Sequence, residues 1–238
     1  MTWQWQLKGT LKTSYVVDIY DVDLFDVAAT TIAQLKTIKS PRTYVVCYFS
    51  AGSSEDWRAD FSKFKAADMG ADLDPQWVGE RWLDTRSANV RAIMKARLDL
   101  AKSKGCDGVE PDNVDGYTNN PGFPLTPSTQ LDYNKFLATE AHARGLLIGL
   151  KNDVDQVVAL EPYFDFAVNE QCNQYGECGN YAAFTNKNKP VLNAEYASKY
   201  VNNTNNARTD LCTASKKANI RTLVLPLELD GTFRYSCD

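Results

Sequence analysis

At 238 residues and 26.6 kDa the chain is long for one sandwich and well sized for one α/β barrel, so a single domain over residues 1–238 with a sizeable core is expected. Its 44% apolar and 24% charged residues leave no run long enough to span a bilayer, which argues against a membrane protein. A net charge of −4 and a pI near 5.2 argue against nucleic acid as a partner and are compatible with a cationic substrate.

Eight short β-branched or apolar runs are predicted as strands, at residues 15–19, 44–49, 79–83, 108–109, 146–150, 164–168, 190–192 and 222–225. Amphipathic segments separate most of them. The clearest covers residues 87–104, where Val90, Ile93, Met94, Leu98 and Ala101 keep helical spacing and Gly105 stands at the C-terminal cap position. Another starts at Thr126-Pro127, a cap followed by proline at the first helical position, and runs through Tyr133, Phe136, Leu137 and Ala141 to Gly145. Strands alternating with helices imply parallel βαβ units, and eight of them favour a closed (β/α)8 TIM-type barrel over an open doubly wound sheet. The sixth helical region is short, and only a brief tail follows the last strand. No glycine fingerprint follows any strand, so no dinucleotide or other cofactor is expected.

In such a barrel the C-terminal strand ends build the active site. Asp18, Asp21 and Asp23 follow the first predicted strand, Ser50-Ala51-Gly52-Ser53 the second, and Glu80, Trp82 and Asp84 surround the third. Glu110, Asp112 and Asn113 end the fourth, Lys151, Asn152 and Asp153 the fifth, and Asn169, Glu170 and Gln171 the sixth. Glu195 and Tyr196 follow the seventh, Glu228 and Asp230 the eighth. The densest group is Asp107, Glu110, Asp112 and Asp115, four mutually repelling acids directly behind a helix end. A solvated acidic turn would explain one such group; acids recurring from strand end to strand end read as an active site.

Absences narrow the chemistry. The lone His142, placed by helical spacing near a helix C-terminus, makes a Ser-His-Asp triad or a His-based metal site improbable. Two carboxylates flanking a glycosidic bond need neither histidine nor cofactor, and Tyr48, Trp57, Trp77, Trp82, Tyr117 and Tyr196 supply aromatics for stacking on sugars. The Asp18, Asp21, Asp23 spacing lacks the glycine and terminal glutamate of a calcium loop, so no metal is expected.

Six cysteines without a Cys-x-x-Cys pair point to an oxidising compartment rather than zinc. Cys172 and Cys178 are expected to close a loop and Cys212 with Cys237 to tether the tail, while Cys47, inside an apolar strand, reads equally well as a buried free thiol. No leader is legible ahead of Trp3, so secretion implies one outside this sequence. Asn202-Asn203-Thr204 is a single glycosylation sequon, a pattern that often arises by chance.

The blocks at 47–53, 79–84, 108–117 (Gly-Val-Glu-Pro-Asp-Asn-Val-Asp-Gly-Tyr), 149–153, 169–172 and 193–196, in this order, resemble the endo-α-1,4-polygalactosaminidase family, glycoside hydrolase family 114. The resemblance spans roughly residues 14 to 237. It implies a (β/α)8 barrel that cleaves within α-1,4-linked galactosamine or galactosaminogalactan-type biofilm polysaccharide, with Asp112 and Glu170 on the family's catalytic positions; a secreted monomer is expected, secretion on the cysteine usage. Asp112 as nucleophile and Glu170 as acid/base, with retention, is the expected division of labour. Glu110 should share Asp112's face by alternation. Asp18, Asp21, Tyr48, Glu80, Trp82, Asp84, Glu110, Asn113, Lys151, Asn152, Gln171, Glu195, Tyr196 and Asp230 are the expected substrate-binding residues. Two other readings stand beside it: a Schiff-base lyase or aldolase on Lys151, and a non-catalytic barrel whose acids only hold a cationic glycan.

Overall fold

A computed structural model describes residues 1–238. Its strands are β1 (Trp3–Gln6), β2 (Ile19–Asp23), β3 (Tyr44–Ser50), β4 (Ser53–Glu55), β5 (Met69–Asp72), β6 (Glu80–Leu83), β7 (Gly108–Asp112), β8 (Leu147–Lys151), β9 (Phe166–Glu170), β10 (Val191–Glu195), β11 (Arg221–Val224) and β12 (Tyr235–Ser236). Nine form one sheet in the order β1-β2-β3-β7-β8-β9-β10-β11-β12, with eight strands parallel and β12 antiparallel on β11. The sheet curls until its first strand meets β11 through side chains: the Trp3 indole N–H donates to the Arg221 carbonyl at 3.0 Å. Arg234, just before β12, donates to the Trp3 carbonyl at 2.7 Å. No backbone ladder joins β1 to β11, so what is established is an α/β fold built on a curled, largely parallel sheet.

Three expectations change. Residues 79–83 do not form a strand of the main sheet; β6 is the centre of a separate antiparallel sheet, β4-β6-β5, within the excursion between β3 and β7. The eighth parallel strand is β1, whose Trp3-Gln4-Trp5-Gln6 alternation has period two. The strand expected at residues 15–19 begins only at Ile19, because residues 11–17 form a loop pinned by the Tyr20 hydroxyl, which accepts from the Tyr15 N–H at 2.9 Å.

The helix Ala88–Lys104 starts where Ser87 Oγ accepts from the Asn89 and Val90 N–H groups, and it ends at Gly105 with φ 85°, a left-handed cap that glycine adopts without a Cβ clash. Pro127–Ala143 starts at the Thr126 cap. These helices press Val90, Met94, Leu98, Tyr133, Leu137 and Ala141 onto the outer sheet face, against Val45, Cys47, Phe49, Val109, Ile148 and Leu150.

Alternation sends the intervening residues inward. Trp3, Ile19, Val46, Phe166, Leu192 and Leu223 fill the inside of the curl as an apolar plug. Gly149 makes room for it, since a Cβ there would sit 2.4 Å from the Phe166 ring. Three disulfides, Cys47–Cys106, Cys172–Cys178 and Cys212–Cys237, leave no free cysteine. Cys47 is therefore not the free thiol that its apolar run allowed; β3 and β7 are adjacent, which brings Cys106, just ahead of β7, to its outward-facing sulfur. No helix is long and apolar enough to cross a membrane.

Candidate active site

The same parity that buries the plug decides which acids reach the cleft at the C-terminal strand ends. On β7, Val109 faces the helices, which turns Glu110 and Asp112 inward, one above the other. On β8 the inward residue at the end is Lys151, and on β9 it is Glu170. Immediately after them the chain turns through left-handed conformations at Asn113 (φ 59°), Asn152 (φ 46°) and Gln171 (φ 67°). Non-glycine residues seldom adopt this region, and here it bends the backbone away from each strand end.

At the centre, Lys151 Nζ lies 2.9 Å from Glu110 Oε1, 3.2 Å from Asp112 Oδ1 and 3.4 Å from Glu170 Oε2. Its ammonium also sits 4.7 Å from the centre of the Trp5 ring, a cation–π contact that covers its remaining side. Burial alone would push the Lys151 pKa down, but the charges of Asp112, Glu110 and Glu170 outweigh it and hold the pKa well above the ordinary value. A nucleophilic amine requires the free base, so this lysine is poorly suited to Schiff-base chemistry.

Asp112 accepts from the Tyr48 hydroxyl at 3.0 Å on Oδ2 and from the Asn113 N–H at 2.8 Å on Oδ1. Glu170 accepts from the Tyr196 hydroxyl at 2.5 Å and from Asn152 Nδ2 at 3.4 Å. Burial, followed by the neighbouring carboxylate, raises both tyrosine pKa values well above ordinary, so each phenol stays a donor. Below Lys151, Asp21 is fully buried and its pKa is raised well above the usual carboxylate range, first by burial and then by the charge of Glu110. Both carboxyl oxygens of Asp21 and Oε2 of Glu110 are buried there without a hydrogen-bond partner. Glu110 itself is pushed up to about 7 by burial, against the pull of Lys151.

Around this centre runs a cleft of ≈ 1120 Å³. Of the expected residues, Tyr48, Glu80, Trp82, Asn113, Asn152 and Gln171 line it, as do Asp112, Lys151, Glu170 and Tyr196. Others lie elsewhere. Asp18 stands at the opposite, N-terminal end of β2, paired with Lys39. Asp21 and Glu110 are buried beneath the floor. Asp84 is held by Arg86 at 2.8 Å, and Asp230 is half-buried in a turn closed on Thr232. Glu195 has the outward parity of β10 and accepts from the Asn173 N–H at 2.8 Å and Asn193 Nδ2 at 3.1 Å, away from the cleft. His142 bonds Asp165 at 2.9 Å, remote from the centre.

Sequence reasoning passed over Trp5, Asp115 and Glu177 as cleft residues. Trp5 was legible from its period-two strand, and Asp115 from the acidic block that contains it. Asp115 is pushed up to about 6 by burial and then by Asp112.

A family model for glycoside-hydrolase family GH114 matches residues 1–238. The chain belongs to that family. This glycoside hydrolase superimposes on the crystal structure of Aspergillus fumigatus Ega3 in complex with galactosamine with TM-score 0.91 and 44% identity, covering 99% of this chain and 94% of that one. The glycoside hydrolase domain of PelA from Pseudomonas aeruginosa shares the fold at 14% identity, TM-score 0.74, covering 97% of this chain and 96% of that one. A search among curated proteins returns no match.

Proposed function

We propose that the enzyme hydrolyses internal α-1,4 linkages of a galactosamine-containing polysaccharide with retention, Asp112 acting as nucleophile and Glu170 as acid/base. The observation that carries the mechanism is the shared lysine. Its contacts to Asp112 Oδ1 and Glu170 Oε2 put these two oxygens no more than 6.6 Å apart, the sum of 3.2 and 3.4 Å. Retaining pairs stand about 5 to 5.5 Å apart and inverting pairs about 6.5 to 9.5 Å, and one ammonium that draws an oxygen of each carboxylate toward itself favours the shorter spacing.

Glu170, as the acid, protonates the glycosidic oxygen while Asp112 bonds to the anomeric carbon and the old C–O bond breaks. Glu170 then takes a proton from water, whose oxygen attacks the same carbon and releases Asp112 as carboxylate. Three donors aimed at Asp112, from Tyr48, Asn113 and Lys151, suit an ionised nucleophile. Glu170, the more exposed of the pair, suits exchange with leaving group and water.

The galactosamine substrate is supported by the Ega3–galactosamine complex at 44% identity and by the acidic cleft. The reading also assigns the curled sheet to a (β/α)8 barrel with a side-chain seam, in one catalytic domain, secreted and working as a monomer; the three disulfides support export. Proton NMR of the first products from de-N-acetylated α-1,4-galactosamine polymer tests the proposal. The α-anomer is expected first. A β-anomer would make the enzyme inverting, and absence of oligosaccharides would leave a binding barrel.

A further inference from the structure

The turn Ser50-Ala51-Gly52-Ser53 and the separate sheet β4-β6-β5 have no part in the two-carboxylate scheme, yet both converge on Asp112. The Ala51 and Gly52 N–H groups donate to the Asp112 carbonyl at 2.9 and 3.0 Å. Gly52 packs so closely that a Cβ would fall 1.6 Å from the Asn113 carbonyl oxygen. From the other side, the Leu83 N–H of β6 donates to the Gly52 carbonyl at 2.9 Å.

A side-chain relay runs through the same turn. Asn113 Nδ2 donates to Ser50 Oγ at 2.9 Å and to Ser53 Oγ at 3.3 Å. The two hydroxyls are 2.6 Å apart, and Ser53 Oγ donates to Glu80 Oε2 at 2.7 Å. Each hydroxyl has one proton. Since Ser53 gives its proton to Glu80, Ser50 must donate to Ser53, and both oxygens are left as acceptors for the Asn113 amide. The carboxylate on β6 thereby sets the direction of the whole chain of bonds.

Asn113 needs such a hold. Its backbone is left-handed, and its N–H is one of the three donors on Asp112. We infer that Glu80 and Ser53 are positioning residues, which lock the left-handed Asn113 and through it aim the Asp112 carboxylate. The separate sheet then has a mechanical role, since it carries Glu80 to the turn. Ser50 and Ser53 are fully buried, so neither can touch substrate, whereas Glu80 also lines the cleft.

The inference rests on Asp112 being catalytic, so Asp112→Asn belongs in the same assay. Kinetics are measured on galactosamine polymer for Ser53→Ala, Ser53→Thr, Glu80→Ala, Glu80→Gln and the double variant Ser53→Ala/Glu80→Ala, with circular dichroism to check folding. Ser53→Ala and Glu80→Ala should each lower kcat between about 10- and 100-fold, the range set by misaiming a reacting group, with the KM of Ser53→Ala within about twofold of wild type. The double variant should be no slower than the worse single one, because both cut the same relay. Ser53→Thr and Glu80→Gln, which keep a hydroxyl and a carbonyl acceptor, should recover most of the loss. Wild-type kcat in Ser53→Ala, additive losses in the double variant, or a pure KM effect in Glu80→Ala would each overturn the relay. If Ser53→Ala does not fold, Glu80→Ala against Glu80→Gln decides on kcat alone. An active Asp112→Asn enzyme would instead overturn the assignment of the nucleophile.

Discussion

Lys151 Nζ meets Glu110 Oε1 at 2.9 Å beneath the cleft, where both side chains are shut off from solvent. The pair is the hub from which the ammonium also reaches Asp112 and Glu170. Removing one partner of a buried pair strands the other charge, at a cost of about 3 to 5 kcal/mol. Lys151→Met should therefore lose stability of that order in urea denaturation and lose at least ~100-fold in turnover, because three carboxylates then repel without a counter-charge. Borohydride with a carbonyl compound should leave no adduct on Lys151; a stable adduct would return the lyase reading.

Asp112→Asn and Glu170→Gln should each cost at least ~100-fold in kcat with the fold intact, since nucleophile and acid/base both need an ionisable carboxyl while the amides keep the shape. Rates of polymer cleavage alongside melting curves check this. Near-normal turnover in either variant would remove that residue from the mechanism.

Stability should fall as pH rises from about 5 to 8. Glu80, Glu110 and Asp153 are each pushed up to about 7 and Asp115 to about 6, in every case chiefly by burial. A carboxyl whose folded pKa is raised binds more protons folded than unfolded, so its contribution is fully present below the unfolded value and is lost as pH climbs through the folded one. Asp18, Asp68 and Glu161 act oppositely: burial pushes them up, but donors from Lys39, Ser87 and Lys187 win and lower them, so their contribution disappears in acid. Calorimetry at pH 3, 5 and 8 should give the highest Tm at pH 5. A Tm that is flat or rises toward pH 8 would mean that the buried acids are ionised or solvated.

Substrate capture should be led by charge. Ten acids line the cleft, Asp74, Glu80, Asp115, Glu177 and Glu228 among them, against three cations, Lys8, Arg58 and Lys151, so negative charge prevails there. Screening shortens the reach of their field from about 30 Å at 0.01 M salt to about 10 Å at 0.1 M. KM on de-N-acetylated polymer should rise over that range, and fully N-acetylated polymer should be a poor substrate with little salt response. Equal rates on the two polymers at low salt would assign these acids to hydroxyl contacts instead.

The Cys47–Cys106 bridge ties β3 to the approach of β7, the strand that carries Asp112. Replacing both by alanine should cost about 2 to 5 kcal/mol, the usual loss for a native bridge. Denaturation of the double variant measures it, and an unchanged midpoint would show the link to be dispensable.

Local pattern determined much of this protein. Helical spacing with Ser87, Gly105 and Thr126-Pro127 marked the two long helices, and alternation on one strand was enough to place Glu110 and Asp112 on the same face. The ordered motif blocks pointed to the family that the whole-chain match establishes. What spacing along a strand cannot supply is its phase relative to the curl, or where the strand stops. Glu195 and Tyr196 are adjacent in sequence, yet Tyr196 bonds Glu170 in the cleft and Glu195 points outward, because β10 turns Leu192 and Ala194 inward. Residues 79–83 have a strand's composition whether they join the parallel sheet or the separate one, since composition records burial and not the identity of the neighbouring strand. The gathering of Trp5, Glu110, Asp112 and Glu170 around the Lys151 ammonium was likewise decided by tertiary structure: they come from β1, β7 and β9, strands far apart in the chain, and only the curl of the sheet brings their inward faces together.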